Sequence, residues 1–202
     1  MPVTAEASVC NIALALVGEK GTIDSLEDAT TAAVVCKTLW DTARRTALTE
    51  ADWSFARKRA VLALSSESRD GWAYCYALPS DCLATRYLYS GLRAPAVDEM
   101  IPFSRELRTD AGGELILTDL AEATLVYSVD QRHVPLWSPL FVQALALLLA
   151  SQLAMALPVK PPVGVALSDR YRVAIARAHA DNLRQQREDM PPMPGGIRAR
   201  GG

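Results

Sequence analysis

The sequence predicts an α+β chain, mainly α: a helical bundle of N- and C-terminal helices, with an inserted small antiparallel β-sheet and a flexible C-terminal arm. Three observations predict it. Apolar residues recur at helical spacing up to about residue 57, alternate or cluster in short runs over 58–132, and return to helical patterning over 133–188. Half of the 202 residues are hydrophobic, which is ample for a core. Residues 189–202 are rich in Pro and Gly and too poor in large apolar side chains to fold alone. The boundaries are therefore drawn as 1–57, 58–132, 133–188 and 189–202.

The first helix is expected to start at Thr4, whose hydroxyl suits an N-cap. Val9, Ile12, Ala13, Leu16 and Val17 make one apolar face, and Gly18 is a helix stop. The second helix is expected to be capped by Asp24 or Ser25, with Glu27 and Asp28 near its positive end. Leu26, Ala29, Ala33, Cys36, Trp40, Ala43 and Ala47 step by three and four, a coiled-coil-like seam of small residues with Trp40 as its bulky member. Its mostly small residues let a neighbouring helix approach closely. Arg44, Arg45 and Glu50 lie off it.

The middle of the chain reads as strands. They are the run Ala60 to Leu64, the alternating stretch Gly71 to Leu78, then Leu83 to Leu88, Glu114 to Leu117 and Ala123 to Val129. Pro79-Ser-Asp81 is turn chemistry, and Asp110 to Gly113 reads as a hairpin turn. Helix returns near Ser138, and Leu140 to Leu157 is almost wholly apolar. Pro158 to Gly164 is read as a break, after which Ser168 caps a last helix. One face of that helix carries Tyr171, Ala174, Ile175, Ala178 and Leu183. The other carries Arg170, Arg172, Arg177, Arg184 and Arg187.

The chemistry-bearing residues are sparse. The net charge of −2 differs from the basic balance of a dedicated nucleic-acid binder. The first six residues have neither the basic nor the apolar region of a secretion signal. Cys10, Cys36, Cys75 and Cys82 lack metal-type spacing, and free thiols fit a reducing cytosol. No nucleophile elbow, zinc helix motif, phosphate loop or dinucleotide fingerprint occurs, so no catalytic, cofactor or metal residue is assigned. Two enzyme-like options can be drawn: Asp98-Glu99 with Glu67 as paired carboxylates, and Cys75 with His133 as nucleophile and base. The plainer readings are solvated acids and a strand cysteine. His179 falls on the last helix. The run Leu140 to Leu157 approaches bilayer length, but Gln143, Ser151 and Gln152 interrupt it and no basic anchors flank it. A central bundle helix is the expectation. Arg44-Arg45, Arg57-Lys58-Arg59 and the last helix's arginines read as solvated surface or as protein-docking groups.

Several runs resemble the head-to-tail connector adaptors of tailed bacteriophages, the tail tubular protein A-like family. They are Asn11 to Leu14, the link from Gly18 to Ile23-Asp-Ser-Leu26, the segment Cys36 to Arg45, Trp53 to Ala56, and Tyr76 to Leu83. The last helix and the tail fit the family's layout. The resemblance implies a homo-oligomeric ring, usually of twelve copies, under the portal protein of a DNA-filled head. The ring would extend the channel, let genomic DNA pass without specific binding, and give a platform to a downstream tail protein. It implies a virion location at the head–tail junction, with host cytoplasm before assembly and no membrane. It also implies that the helical part, with the seam from Leu26 to Ala47, forms the ring wall, and that the C-terminal segment reaches the portal. Position then singles out Met190, Met193 and Ile197 as anchors and Arg198 and Arg200 as charge partners. The alternatives are a small hydrolase acting on cell wall through an acidic residue of the sheet region, and a helical membrane-associated protein.

Overall fold

In the computed structural model the described residues are 5–92, 99–110, 112–157 and 161–188. The first helix, α1 (Glu6–Val17), has Ala5 as its N-cap without a side-chain bond, and Thr4 lies outside the described residues. Its buried face is Val9, Cys10, Ala13, Leu14 and Val17, so the face is turned relative to expectation, and Ile12 is 37% exposed. Gly18 ends the helix at φ 90°, donating its N–H to Ala15 O, while Glu19 N–H reaches Leu14 O. Only glycine takes that left-handed backbone without penalty.

The second helix, α2 (Thr31–Thr49), starts later than expected. Thr30 Oγ1 accepts the Ala33 N–H at 3.2 Å and caps it, not Asp24 or Ser25. The physical reason is Asp28. Its carboxylate takes the N–H groups of Asp24 (2.8 Å) and Ser25 (3.1 Å), a local turn that competes with helix. Leu26 and Ala29 therefore precede the helix and do not continue its seam. Leu26 packs half-buried on the core, and Ala29 is exposed. Ala33, Cys36, Trp40, Ala43 and Ala47 are buried. The side chains of Cys10 and Cys36 meet between α1 and α2 as free thiols.

After a 3-10 turn at Ser54–Ala56 come, among the described residues, seven strands: β1 (Arg57–Val61), β2 (Ala63–Leu64), β3 (Tyr74–Ala77), β4 (Cys82–Leu88), β5 (Ser104–Leu107), β6 (Glu114–Thr118) and β7 (Thr124–Val129). They form two antiparallel sheets where one was expected, ordered β1-β7-β4 and β2-β3-β6-β5. The cause is a corner at Leu62. Leu62 N–H donates to Ala123 O beside β7, whereas Ser65 N–H donates to Cys75 O of β3. Consecutive strand residues normally point opposite ways, so one nearly continuous strand switches sheets at this point. Leu62, Tyr76, Leu88, Ile116, Leu125 and Tyr127 fill the space between the sheets. β5 was not expected as a strand. It pairs with β6, and Arg108 N–H donates to Gly113 O at the near end of that pair. At the root of the region, Arg57 of β1 lies opposite Ser128 of β7.

A further 3-10 turn, Val134–Leu136, leads into α3 (Pro139–Ala156), capped by Ser138 Oγ on the Phe141 N–H. By length and composition α3 could cross a membrane, yet more than half of it is buried inside the protein. It is the central helix, packed against α1, α2 and the last helix, α4 (Pro161–Glu188). α4 begins before Ser168, which lies within it, because proline is tolerated in a first turn. Leu167, Tyr171, Ala178 and Asn182 are its buried residues, while Leu183 is 43% exposed and outside the core. Trp40, Trp53, Phe55, Trp137 and Phe141 form one aromatic cluster where α2 and α3 meet the linkers. Among the described residues the chain is thus a mixed α and β protein of four α-helices and two antiparallel sheets.

Candidate functional site

The most elaborate polar chemistry lies where the bundle meets the sheets. It is built from side chains that replace missing backbone partners. Helix α2 ends with carbonyls that have no helical partner. Arg86, projecting from β4, supplies the donors: its guanidinium bonds Leu48 O (3.0 Å), Thr49 O (3.2 Å) and Ala51 O, and its Nε donates to Ser128 Oγ (2.9 Å). Burial, with no carboxylate bonded to it, pulls the Arg86 guanidinium below its ordinary value. Arg86→Ala leaves several buried acceptors without donors. The expected loss is roughly 2–3 kcal/mol, read as a lower urea midpoint, with Arg86→Lys recovering less than half.

Arg44 is the second tie. It was expected on the surface, off the seam, and is instead fully buried. Its guanidinium forms a two-pronged pair with Asp130 (3.0 Å and 3.0 Å), donates to Asp41 (2.7 Å), and lies 3.9 Å from Glu6. Burial opposes the charge on Arg44, but Asp130 and Asp41 together lift its pKa above the usual value. Burial likewise opposes the charge on Asp130, and the Arg44 bonds outweigh it, holding that carboxyl below the usual range. α1, α2 and the exit from β7 are thereby joined through one cation.

Two side-chain amides act in the same manner. Asn182 of α4 accepts Ser54 N–H (3.0 Å) and donates to Asp52 O (2.9 Å). Asn11 of α1 donates to Ile23 O and accepts Ile23 N–H, both at 2.9 Å, fixing the link to α2. Trp53, fully buried, donates its indole N–H to Ala47 O at 2.9 Å.

The enzyme-like groups are placed otherwise. Glu67 accepts Thr109 N–H (3.1 Å), Thr109 Oγ1 (2.7 Å) and an Arg69 N–H (2.9 Å), and these bonds lower its pKa. A proton donor in catalysis needs the opposite shift. Cys75 is buried on β3 with Leu115, Leu117 and Trp72, whereas His133 is exposed at the entry to the bundle. No hydrogen bond joins Cys75 and His133 among the described residues. His179 packs near the Trp53 ring. Asp98 lies outside the described residues. Asp81, from the turn after β3, accepts Lys58 Nζ (2.6 Å) and Tyr127 O–H (3.0 Å), a link between β1, β7 and that turn. Burial pushes the Cys82 thiol up to about 11, so it is protonated near neutral pH. Among the described residues no cluster of His, Cys, Asp and Glu suits a metal ion.

Several basic groups near the sheets are paired. Arg57 pairs with Asp52, Lys58 with Asp81, and Arg59 lies over the Tyr89 ring at 4.0 Å. Arg45 and, on α4, Arg170, Arg172, Arg177 and Arg184 are exposed. Met190, Met193, Ile197, Arg198 and Arg200 fall outside the described residues. Sequence reasoning missed Arg44, Arg86, Asn182 and Asp130, because each acts through a partner distant in the chain. Among known proteins, no family model matches this chain, and neither does any curated protein sequence.

Proposed function

We propose that this protein is a structural subunit of a phage head-to-tail adaptor ring. In that reading it sits below the portal, extends the DNA channel and carries the next tail component. The observation that carries the reading is the role of the runs resembling that family. Asn11, Gly18, Ile23 and Trp53 each close the helical framework through a specific bond, and the buried Arg44 is committed to internal ties with Asp130 and Asp41. This is the design of a rigid building block.

The surfaces agree with it. A rotational ring needs two unlike faces on each subunit. With α3 central, α2 offers Val34 (56% exposed), while α4 offers Val165 and Val173 (66% and 71%) among its arginines. The buried members of the α2 seam, Ala33, Cys36, Trp40, Ala43 and Ala47, hold the subunit together, so the ring wall is assigned to outer faces. Twelve copies, a portal partner above and a tail protein below remain part of the proposal. The protein's role is taken as geometric, not enzymatic.

The C-terminal segment is assigned to portal docking through Met190, Met193, Ile197, Arg198 and Arg200. Many identical segments in a ring would add their weak contacts through multivalency. The test mixes purified protein with DNA-filled heads lacking their adaptor, then measures retention and DNA leakage. Full-length protein is expected to bind as a ring visible by electron cryomicroscopy and to stop leakage. Protein lacking residues 191–202 is expected to keep its melting profile and lose retention. Failure of the full-length protein to bind any such head would refute the adaptor reading. Equal retention of the truncated form would move docking to the arginine face of α4.

A further inference from the structure

Away from the ties that hold the subunit together, α3 and α4 leave a recess of about 390 Å³ on their shared surface. Leu147 of α3 and Val173 and Ala174 of α4 give it an apolar floor, and Arg170 and Arg177 flank it. Gln143, an exposed amide on an otherwise apolar stretch of α3, lines it too.

Helix geometry explains the arrangement. Arg170 and Arg177 are seven residues apart, so they stand nearly in line along α4 with about 10.5 Å of rise between them. Val173, three residues after Arg170 and four before Arg177, sits between them on the same side. The buried line of α4, through Leu167, Tyr171 and Ala178, lies about a quarter turn away. Val173 is therefore 71% exposed, and both arginines are exposed. Neither arginine has an ion-pair or hydrogen-bond partner among the described residues. Arg172, on another face, is different: it meets Asp169 at 3.5 Å. Arg44, Arg57, Arg69 and Arg105 likewise each hold a carboxylate of this chain. The pair at the recess is left open.

We propose that this recess receives an acidic amphipathic helix of a different protein. Two carboxylates seven residues apart on such a helix match the spacing of Arg170 and Arg177, because both helices rise equally per residue. An apolar residue three or four positions after the first carboxylate covers Val173 and the floor. Each guanidinium can pair with a carboxylate through two parallel bonds.

Other occupants fit less well. Asp169 lines the recess and Asp181 follows Arg177 by about one turn, so carboxylates bracket the cationic pair and repel a phosphate chain. Phosphates would also leave Val173 uncovered. A second copy of this chain lacks the required pattern. Among the described helices only Asp181 and Glu188 are acidic residues seven apart, and Arg184 and Gln185 occupy the positions where the apolar residue is needed. The inference does not rest on the adaptor reading. Within that reading it leaves the ring contact on α4 to Val165, about 140° around the helix from Arg170.

The probe is a fluorescein-labelled, stapled helical peptide of Ala and Gln. It carries two Glu seven residues apart, with Leu at the third and fourth positions after the first Glu. Anisotropy titration is run on the full-length protein. One control peptide has both Glu changed to Gln, and another keeps both but places the second on the opposite side of the helix. Binding of the probe is expected, with about tenfold weaker binding of each control. Arg177→Glu is expected to weaken probe binding by about tenfold or more, and one of two peptides with Lys replacing a single Glu is expected to regain it. Val173→Gln is expected to weaken binding about fivefold. Both positions are exposed, so the melting profiles should match the parent. Equal binding of the displaced-Glu peptide, no effect of Arg177→Glu, no regain with either Lys peptide, or no binding at millimolar probe would overturn the proposal. Tighter binding of a duplex DNA, weakened by Arg177→Glu, would assign the recess to phosphates and overturn it. Concentration-dependent dimers in sedimentation, lost in Arg177→Glu, would assign it to a second copy and overturn the choice of a different protein.

Discussion

Trp53→Ala is expected to destabilise the fold by about 4 kcal/mol, near the upper range for truncating a buried aromatic. The ring is fully buried, edge-on to Phe141 at 5.1 Å and stacked on Phe55 at 5.9 Å. Truncation opens a void in the aromatic cluster and also strips Ala47 O of its indole donor. The neighbours cannot collapse readily, because Asn182 and Gln186 of α4 hold the adjacent Asp52 carbonyl. Trp40 gives the control. Its ring is 3% exposed and leans on Trp137, but its indole N–H has no partner among the described residues. Trp40→Phe is therefore expected to cost less than Trp53→Phe, which loses a bond worth roughly 1 kcal/mol or more. Urea denaturation of the three variants checks the order. A Trp53→Ala protein as stable as the parent would remove Trp53 from the core.

Arg44→Met has the other large expected effect, roughly 3–5 kcal/mol, because it strands carboxylates that one buried cation satisfies. The pair Asp130→Asn with Arg44→Met should be milder than the sum of the single changes, since both lose the same bonds. The pH dependence has a definite sign. Asp130 has a lowered pKa in the folded state, so its stabilisation is present above the unfolded value, about 3.9. It is lost as pH falls through the lower folded value. The parent should lose stability below about pH 4, and Asp130→Asn should flatten that limb. An unchanged acid limb in the variant would show that Asp130 does not carry it.

Local signals in the chain were legible where the partner is near in sequence. Gly18 stops α1 through its own backbone freedom, Ser138 caps α3 three residues on, and the turn before β6 carries its own glycines. Distance along the chain hid the rest. Arg44 looks like a surface charge until Asp130, 86 positions away, is brought to it by β7. β5, with the sequence Ser-Arg-Glu-Leu, has no apolar alternation and becomes a strand only because β6 pairs with it. The start of α2 was misplaced because Asp28 can serve a helix or a turn, and the turn wins. For the candidate sites, the seam from Ala33 to Ala47 was visible as a pattern, but a periodic stripe cannot tell a core from a wall between subunits.

The pairing of Arg57 with Ser128 has a topological consequence. The chain leaves the helices and returns to them on adjacent rungs of one ladder, where facing Cα atoms are only about 5 Å apart. Everything between is a closed excursion from a nearly fixed doorway. Such a doorway is permissive: what lies beyond it can lengthen, shorten or be exchanged for another unit without changing the distance the helices must span. The price of exchange falls on β4, where Arg86 reaches back to finish α2 and Leu83 packs on the helical core. A graft that replaced the sheets would have to bring its own terminator for that helix.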